Sequence, residues 1–121
     1  MTNHSLYEAL GGKEGIAAVV NEFYDRMITD ESVSHYFLDT DTDALRDHQI
    51  TYFISHVLGG PKEYKGSTLR HAHKGLHITF EAYETAIRHM NGALRKYNVP
   101  IDIRVTIEAF LRSVKPHIIE K

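Results

Sequence analysis

The sequence predicts one all-α domain with four substantial helices and two or three short ones. Apolar residues recur at steps of three and four along most of the chain, which is the period of a helix that buries one face. The segment Ile101 to Val105 alternates like a strand, but it has no partner strand elsewhere and lies within a longer helical pattern. A chain of 121 residues suffices for one hydrophobic core and not for two, so we expect a single domain over residues 1–121.

The first half of the chain contains two of the predicted long helices. Between Gly15 and Thr29 the apolar side chains at helical spacing are Ile16, Val19, Val20, Phe23 and Met27. Asp41 or Thr42 is the expected N-cap of the second helix, because a short polar side chain accepts hydrogen bonds from the first unpaired backbone N–H groups. That helix should run to about Leu58, where Gly59-Gly60-Pro61 ends it.

The second half predicts a short helix followed by two long ones. The short helix should extend from Leu69 to Lys74 and end at Gly75. Thr79 is the expected N-cap of the next helix, whose apolar stripe comprises Phe80, Tyr83, Ile87, Met90, Leu94 and Tyr97. Pro100 suits the first turn of the last helix, because its missing N–H has no partner there in any case. The inward residues of that helix are Ile103, Ile107, Phe110, Leu111, Val114 and Ile118.

The composition argues against several functional classes. The chain has no cysteine, which excludes disulfides, thiolate metal sites and cysteine nucleophiles. A net charge of -2 gives no basic surface for nucleic acid and no polybasic membrane patch. We expect no transmembrane helix and, from the polar first residues, a cytoplasmic protein without a signal peptide. The nine histidines are the one unusual feature, and they point to metal or haem chemistry.

Three of these histidines, His71, His73 and His77, lie within seven residues. Residues two apart on a helix point to nearly opposite faces, while residues four apart share a face. His73 follows Leu69 by four residues and precedes Leu76 by three, so it lies on the buried stripe of its helix and His71 faces away. A single histidine on an apolar face is most often an ordinary core residue, so this position alone does not establish a metal site.

Two kinds of metal site compete for His73. A non-haem di-iron or zinc site would use the ligand spacing of His73-x-x-x-His77, together with His4-x-x-x-Glu8, which resembles an element of hemerythrin-like proteins. However, Gly75 interrupts the first pair, and no further inward carboxylates or histidines recur at helical spacing. Haem needs only one inward histidine, an apolar slot and polar groups opposite the iron, which matches His73 among many apolar and aromatic positions.

Six short motifs in a fixed order extend over nearly the whole chain. They are LYEALGG (residues 6–12), FYDRM (23–27), YFLDTD (36–41), LGGPKEYKG (58–66), LRHAHKGL (69–76) and NVP (98–100). In this order and spacing the chain resembles the truncated, two-over-two haemoglobins, most closely their group 1. The pairs Gly11-Gly12 and Gly59-Gly60 match the two glycine motifs of that family. The resemblance implies a two-over-two helical sandwich around haem b.

The resemblance also implies roles for individual residues. His73 is expected to be the proximal iron ligand, with its Nδ1–H donating to a backbone carbonyl that fixes the tautomer. Tyr24 matches the distal tyrosine, whose hydroxyl can donate to dioxygen, and Phe37 matches the phenylalanine that wedges the haem. The other haem-lining positions are Phe23, Phe53, Leu69, Leu76, Ile78, Tyr83 and Ile87. Candidates for contact with the haem propionates are Arg70, Lys74, Lys62 and Tyr64.

The distal helix, LRDHQITYFISHVLGG, fits the family in two ways. Aligned on its HQ pair, Gln49 is the distal glutamine and Leu45 occupies the gate. Aligned on Phe53 and the glycines, Arg46 and Ile50 take the inner positions instead. We favour the first alignment, with one extra residue near the helix end.

That alignment pairs Tyr24 with Gln49 as two hydrogen-bond donors and places His48 at the haem edge. Some family members use a distal-helix histidine as a sixth iron ligand that gas displaces. His48 is a candidate for that role, and the alternative is an exposed or propionate-contacting residue.

The resemblance implies reversible binding of dioxygen, carbon monoxide and nitric oxide at ferrous haem. Donors near the outer oxygen favour its polarised form and should slow its escape, and even a neutral hydrogen bond contributes about 0.5–1.5 kcal/mol. Slow escape suits redox chemistry, so we expect conversion of nitric oxide to nitrate. The chain shows no flavin or nicotinamide fingerprint, so we expect a separate reductase. The alternatives are oxygen storage or transport, peroxidase-like chemistry, gas sensing and a non-haem metal-binding helical bundle.

Overall fold

A computed structural model of the chain describes residues 6–52, 78–117 and 119. These residues form five α-helices and two short 3-10 helices and contain no strand, which confirms the all-α prediction. In chain order the α-helices are α1 (Leu6–Ala9), α2 (Gly12–Thr29), α3 (Thr42–Tyr52), α4 (Phe80–Lys96) and α5 (Ile101–Val114). The 3-10 helices are Ser34–Phe37, between α2 and α3, and Lys115–His117, after α5.

Helix α2 begins at Gly12, three residues earlier than predicted. The turn from α1 into α2 places Gly11 in the left-handed region at φ 94, a conformation that costs glycine little. Gly15 then lets the turn before α2 approach closely, because a Cβ at this position would lie 1.8 Å from the carbonyl oxygen of Leu10 in that turn. The glycines that look like helix breakers in the sequence therefore make the α1–α2 junction.

The two caps predicted from the sequence are confirmed. The Asp41 carboxylate accepts a hydrogen bond from the Ala44 N–H at 3.1 Å, so Asp41 is the N-cap of α3. The Thr79 hydroxyl accepts one from the Ala82 N–H at 3.0 Å at the start of α4. Pro100, which the sequence placed in the first turn of the last helix, is instead the N-cap of α5, one residue before the helix begins at Ile101.

The predicted stripe of α4 is correct in its middle and wrong at its ends. Tyr83, Ile87, Met90 and Leu94 are buried, but Phe80 and Tyr97 are 56% and 44% exposed. Both lie at helix ends, beyond the stretch that neighbouring helices cover. The Lys115 ammonium group instead lies over the Phe80 ring, 3.3 Å from the ring centroid. The Lys96 ammonium group lies 5.8 Å from the centroid of the Tyr97 ring.

Helix α2 is central to the core and packs against both α3 and α4. One cluster joins α2 to α4 and α5, and its buried members are Val19, Met90, Ala93, Leu94, Val99 and Ile107. A second cluster joins α2 to α3 through Ile16, Val20, Tyr24 and Ile50. The candidate distal residues thus lie in the interface between α2 and α3.

Candidate functional site

Tyr24 lies on the face of α2 that packs against α3 and is 5% exposed. Its ring meets Phe23 edge to face at a centroid distance of 4.8 Å and Phe37 at 5.9 Å. Apolar and aromatic side chains therefore surround the phenol, and burying its hydroxyl in such a setting requires a hydrogen-bond partner.

Gln49 of α3 approaches that hydroxyl from across the interface, closely enough to act on the Tyr24 pKa as a hydrogen-bonding side chain. Burial raises the pKa of Tyr24 well above its usual value, while the Gln49 hydrogen bond and the Arg46 charge act weakly in the opposite direction. The phenol therefore stays protonated at any physiological pH and keeps its O–H as a donor. Gln49 adds amide N–H donors beside it.

The contacts of α3 distinguish its two relevant faces. Ile50 is 8% exposed and packs with Ile16 and Val20 of α2. Arg46 precedes it by four residues and also reaches α2, where it is 2.9 Å from the Asp25 carboxylate. Arg46 and Ile50 are thus both directed at α2.

Leu45 and Gln49 occupy the neighbouring face of α3. Both are half-buried, and Leu45 packs against the cluster that contains Tyr24. His48 is exposed on the same helix. These side chains, together with the aromatic rings of Phe23 and Phe37, form the described part of the candidate distal site.

The remaining predicted haem-lining residues are spread more widely. Ile78 is half-buried and packs against the Met27 and Val33 cluster, which Phe37 also contacts. Tyr83 and Ile87 are buried on α4, and the Tyr83 hydroxyl donates to the Leu111 carbonyl at 2.7 Å. The other predicted site residues lie outside the described residues, namely His73, Phe53, Tyr64, Leu69, Arg70, Leu76, Lys62 and Lys74.

The arrangement fits the distal side of a haem. A haem pocket needs an apolar wall and a small number of polar groups opposite the iron. The buried Tyr24–Gln49 pair within an aromatic surround offers that combination. Among the described residues, no three His, Cys, Asp or Glu side chains are grouped as metal ligands. None of the described helices is both long and apolar enough to cross a membrane.

Sequence reasoning considered Arg46 only as an inner residue of the less favoured alignment. The structure instead joins it to Asn21 and Asp25, which are four residues apart on α2. Because Asn21 and Asp25 are four residues apart, their side chains share one face of α2, and one basic side chain on a neighbouring helix can contact both. This i,i+4 spacing is the sequence feature from which a basic partner for α2 could have been predicted.

Comparison with known proteins gives a consistent result over nearly the whole chain. The family model of bacterial-like globins matches residues 5–119. The chain is 38% identical over 102 residues to the group 1 truncated hemoglobin LI410 of Chlamydomonas moewusii, covering 82% of this chain and 59% of that protein.

Solved structures agree with this match. The truncated hemoglobin of Tetrahymena pyriformis in the Fe(III) form has a TM-score of 0.88 at 29% identity, covering 97% of this chain and 99% of that chain. The 2/2 hemoglobin of Synechococcus, with covalently attached heme, has a TM-score of 0.84 at 29% identity, covering 93% and 94%. The likeness confirms the predicted two-over-two architecture. Variants of the Tetrahymena protein replace one tyrosine and two glutamines that follow it by 21 and 25 residues.

Proposed function

Since this chain is a group 1 truncated haemoglobin of the bacterial-like globin family, we propose that it converts nitric oxide and dioxygen to nitrate. As a globin it is a haem protein that binds diatomic gases. We further propose haem b as the cofactor and His73 as its proximal ligand. When bound, the haem supplies the gas-binding iron and one electron for each nitrate formed.

The buried Tyr24 hydroxyl with Gln49 beside it in the α2–α3 interface is the observation that carries the proposal. Preorganised donors at this position would favour negative charge on a dioxygen held at the haem. Tyr24 is held as a protonated donor, and Gln49 fixes its orientation and adds N–H groups. The pair should keep dioxygen in place long enough for nitric oxide to arrive.

The number of residues between the distal tyrosine and the distal glutamines supports the alignment on the HQ pair. In the Tetrahymena protein, the two substituted glutamines follow the substituted tyrosine by 21 and 25 residues. The same spacings counted from Tyr24 lead to Leu45 and Gln49. We therefore propose that Leu45 takes the gate position without a donor and that Gln49 supplies the distal amide.

The remaining haem contacts follow the same proposal. Phe23, Phe37, Ile78, Tyr83 and Ile87 would line the haem from the described part of the chain. From the rest of the chain, the proposed lining residues are Phe53, Leu69 and Leu76, and the proposed propionate contacts are Arg70 and Tyr64.

A separate reductase and a cytoplasmic location complete the proposal. Nitrate formation takes three electrons from nitric oxide, whereas dioxygen accepts four, so each turnover needs one more electron. The sequence carries no flavin or nicotinamide fingerprint that would supply it. We propose that a reductase in the same compartment returns this electron.

Mixing experiments test the activity directly. The haem-loaded protein is reduced, equilibrated with dioxygen and mixed with nitric oxide, and nitrate is measured. We expect about one nitrate per haem, as the stoichiometry requires. The control is the same protein saturated with carbon monoxide, which should give none. An absence of nitrate from protein that binds and releases dioxygen would contradict the dioxygenase and favour oxygen storage.

Replacing His48 tests sixth ligation. Because His48 is exposed on α3 while Gln49 turns toward Tyr24, we expect His48→Ala to leave the ferric and ferrous absorption spectra unchanged. Asp47→Ala, an exposed neighbour on the same helix, is the matched control. A conversion from a six-coordinate to a five-coordinate spectrum in His48→Ala alone would instead identify His48 as an iron ligand.

A further inference from the structure

Arg46 forms a second link between α2 and α3, beside the Tyr24–Gln49 pair. Its Nη1 donates to the backbone carbonyl oxygen of Asn21 at 3.2 Å and to the side-chain Oδ1 of the same residue at 3.3 Å. Its Nη2 lies 2.9 Å from Oδ1 of Asp25. Asn21 and Asp25 are four residues apart on one face of α2, so a single planar guanidinium reaches both.

The surroundings of Arg46 differ from those of an ordinary surface ion pair. Its side chain is 15% exposed, whereas that of Asp25 is 64% exposed. The guanidinium carbon lies 5.9 Å from the centroid of the Tyr24 ring. Within the described residues, the Arg46 Nε–H is a buried donor without a partner. A surface ion pair adds little stability, and a buried unpaired donor costs some, so net stability alone is a weak reason for this arrangement.

The two links lie within one helical turn of each other on both helices. Tyr24 lies between Asn21 and Asp25 along α2, and Gln49 follows Arg46 by three residues along α3. A rotation or slide of α3 against α2 that broke the arginine contacts would therefore also move the Gln49 amide relative to the Tyr24 hydroxyl.

We propose that Arg46 is a positioning residue that holds α3 in the register where Gln49 meets Tyr24. The inference rests on the proposed function, in that this register sets how well the pair retains dioxygen. The residue acts through Tyr24 and Gln49 and has no contact of its own with the gas.

A different explanation would let Arg46 act only through its positive charge. Lysine separates the two, because it keeps the charge and lacks the planar fork that reaches Asn21 and Asp25 together. Under the positioning role, Arg46→Lys should resemble Arg46→Met. Under the charge role, it should resemble the wild type.

A double-mutant cycle on the dioxygen dissociation rate tests the positioning role. We expect Arg46→Met and Arg46→Lys each to speed dissociation by about three- to ten-fold in the wild-type background. In the Tyr24→Phe background, the same substitutions should change the rate by less than about two-fold, since the donor they position is gone. Equal effects in both backgrounds, or a wild-type rate for Arg46→Lys, would overturn the proposal.

The matched control is Arg112→Met. Arg112 of α5 is paired with Glu84 of α4 as well as with Glu108 of its own helix, so its loss removes an arginine link between two other helices. We expect an unchanged dissociation rate in this variant. The C–O stretching band of the carbon monoxide complex should shift in the same direction for Arg46→Met as for Tyr24→Phe, and should stay in place for Arg112→Met.

Amide hydrogen exchange of the protein as purified separates this inference from the proposed function. Arg46→Met should speed exchange across residues 46–52 of α3 by about ten-fold while leaving α4 unchanged. Unchanged exchange in α3 would overturn the positioning role whatever the gas kinetics show. A normal dissociation rate in Tyr24→Phe would contradict the distal pair, and the exchange result would still decide whether Arg46 holds the register.

Discussion

Replacing Tyr24 with phenylalanine should speed dioxygen dissociation by about ten-fold or more. A hydrogen bond to a charged acceptor contributes about 1.5–3 kcal/mol, and each 1.4 kcal/mol corresponds to about a factor of ten. The substitution removes the hydroxyl and leaves the aromatic contacts with Phe23 and Phe37 in place. Stopped-flow displacement of dioxygen by carbon monoxide measures the rate.

Tyr36→Phe is the control for this experiment. The Tyr36 hydroxyl accepts a hydrogen bond from the Thr79 N–H at 3.4 Å, so its loss also removes one phenolic contact. We expect the wild-type rate in this variant. If Tyr24→Phe also dissociates dioxygen at the wild-type rate, Tyr24 is not the distal donor and the proposed retention mechanism fails.

Replacing His73 with alanine should abolish most haem affinity. Loss of even a supporting residue around a metal typically weakens binding by about 10–100-fold, so loss of the proposed ligand itself should cost at least about 100-fold. The measurement is the rate of haem transfer to an excess of a haem-free acceptor globin. Added imidazole should restore binding in His73→Gly, because it can occupy the vacated position.

His71→Ala is the natural comparison, since the helical spacing predicts that this side chain faces away from His73. We expect haem retention close to that of the wild type. Retention in His73→Ala equal to that in His71→Ala would show that another residue binds the iron. His77 would then be the next candidate, from its spacing alone.

The sequence predicted helix ends well where a local side chain decides them. Asp41 and Thr79 are short polar residues placed directly before an apolar periodic run, and both cap their helices as expected. Phe80 and Tyr97 were wrong because periodicity identifies a face but not where the neighbouring helices stop covering it. The start of α2 was wrong because Gly15 lies inside the helix, where it leaves room for the Leu10 carbonyl of the preceding turn, and helical periodicity does not reveal that close approach.

The sequence alone predicted only part of the candidate site. Tyr24 and Gln49 were singled out through motifs, and no periodicity distinguishes a distal tyrosine from a core one. On α3, Leu45 and Gln49 are four residues apart, as are Arg46 and Ile50, so either pair can form an inward face. The choice depends on α2, whose Asn21 and Asp25 receive the arginine.

The central position of α2 has a consequence for protein engineering. Its two faces belong to the hydrophobic core and to the distal interface, so Val19 and Val20, adjacent in the chain, serve different clusters. Selection for heat resistance that accumulates changes on α2 will therefore alter gas kinetics as a side effect. The exposed face of α5, which includes Ile101 and Val105, offers positions where thermal stability can be improved without changing the gas-binding kinetics.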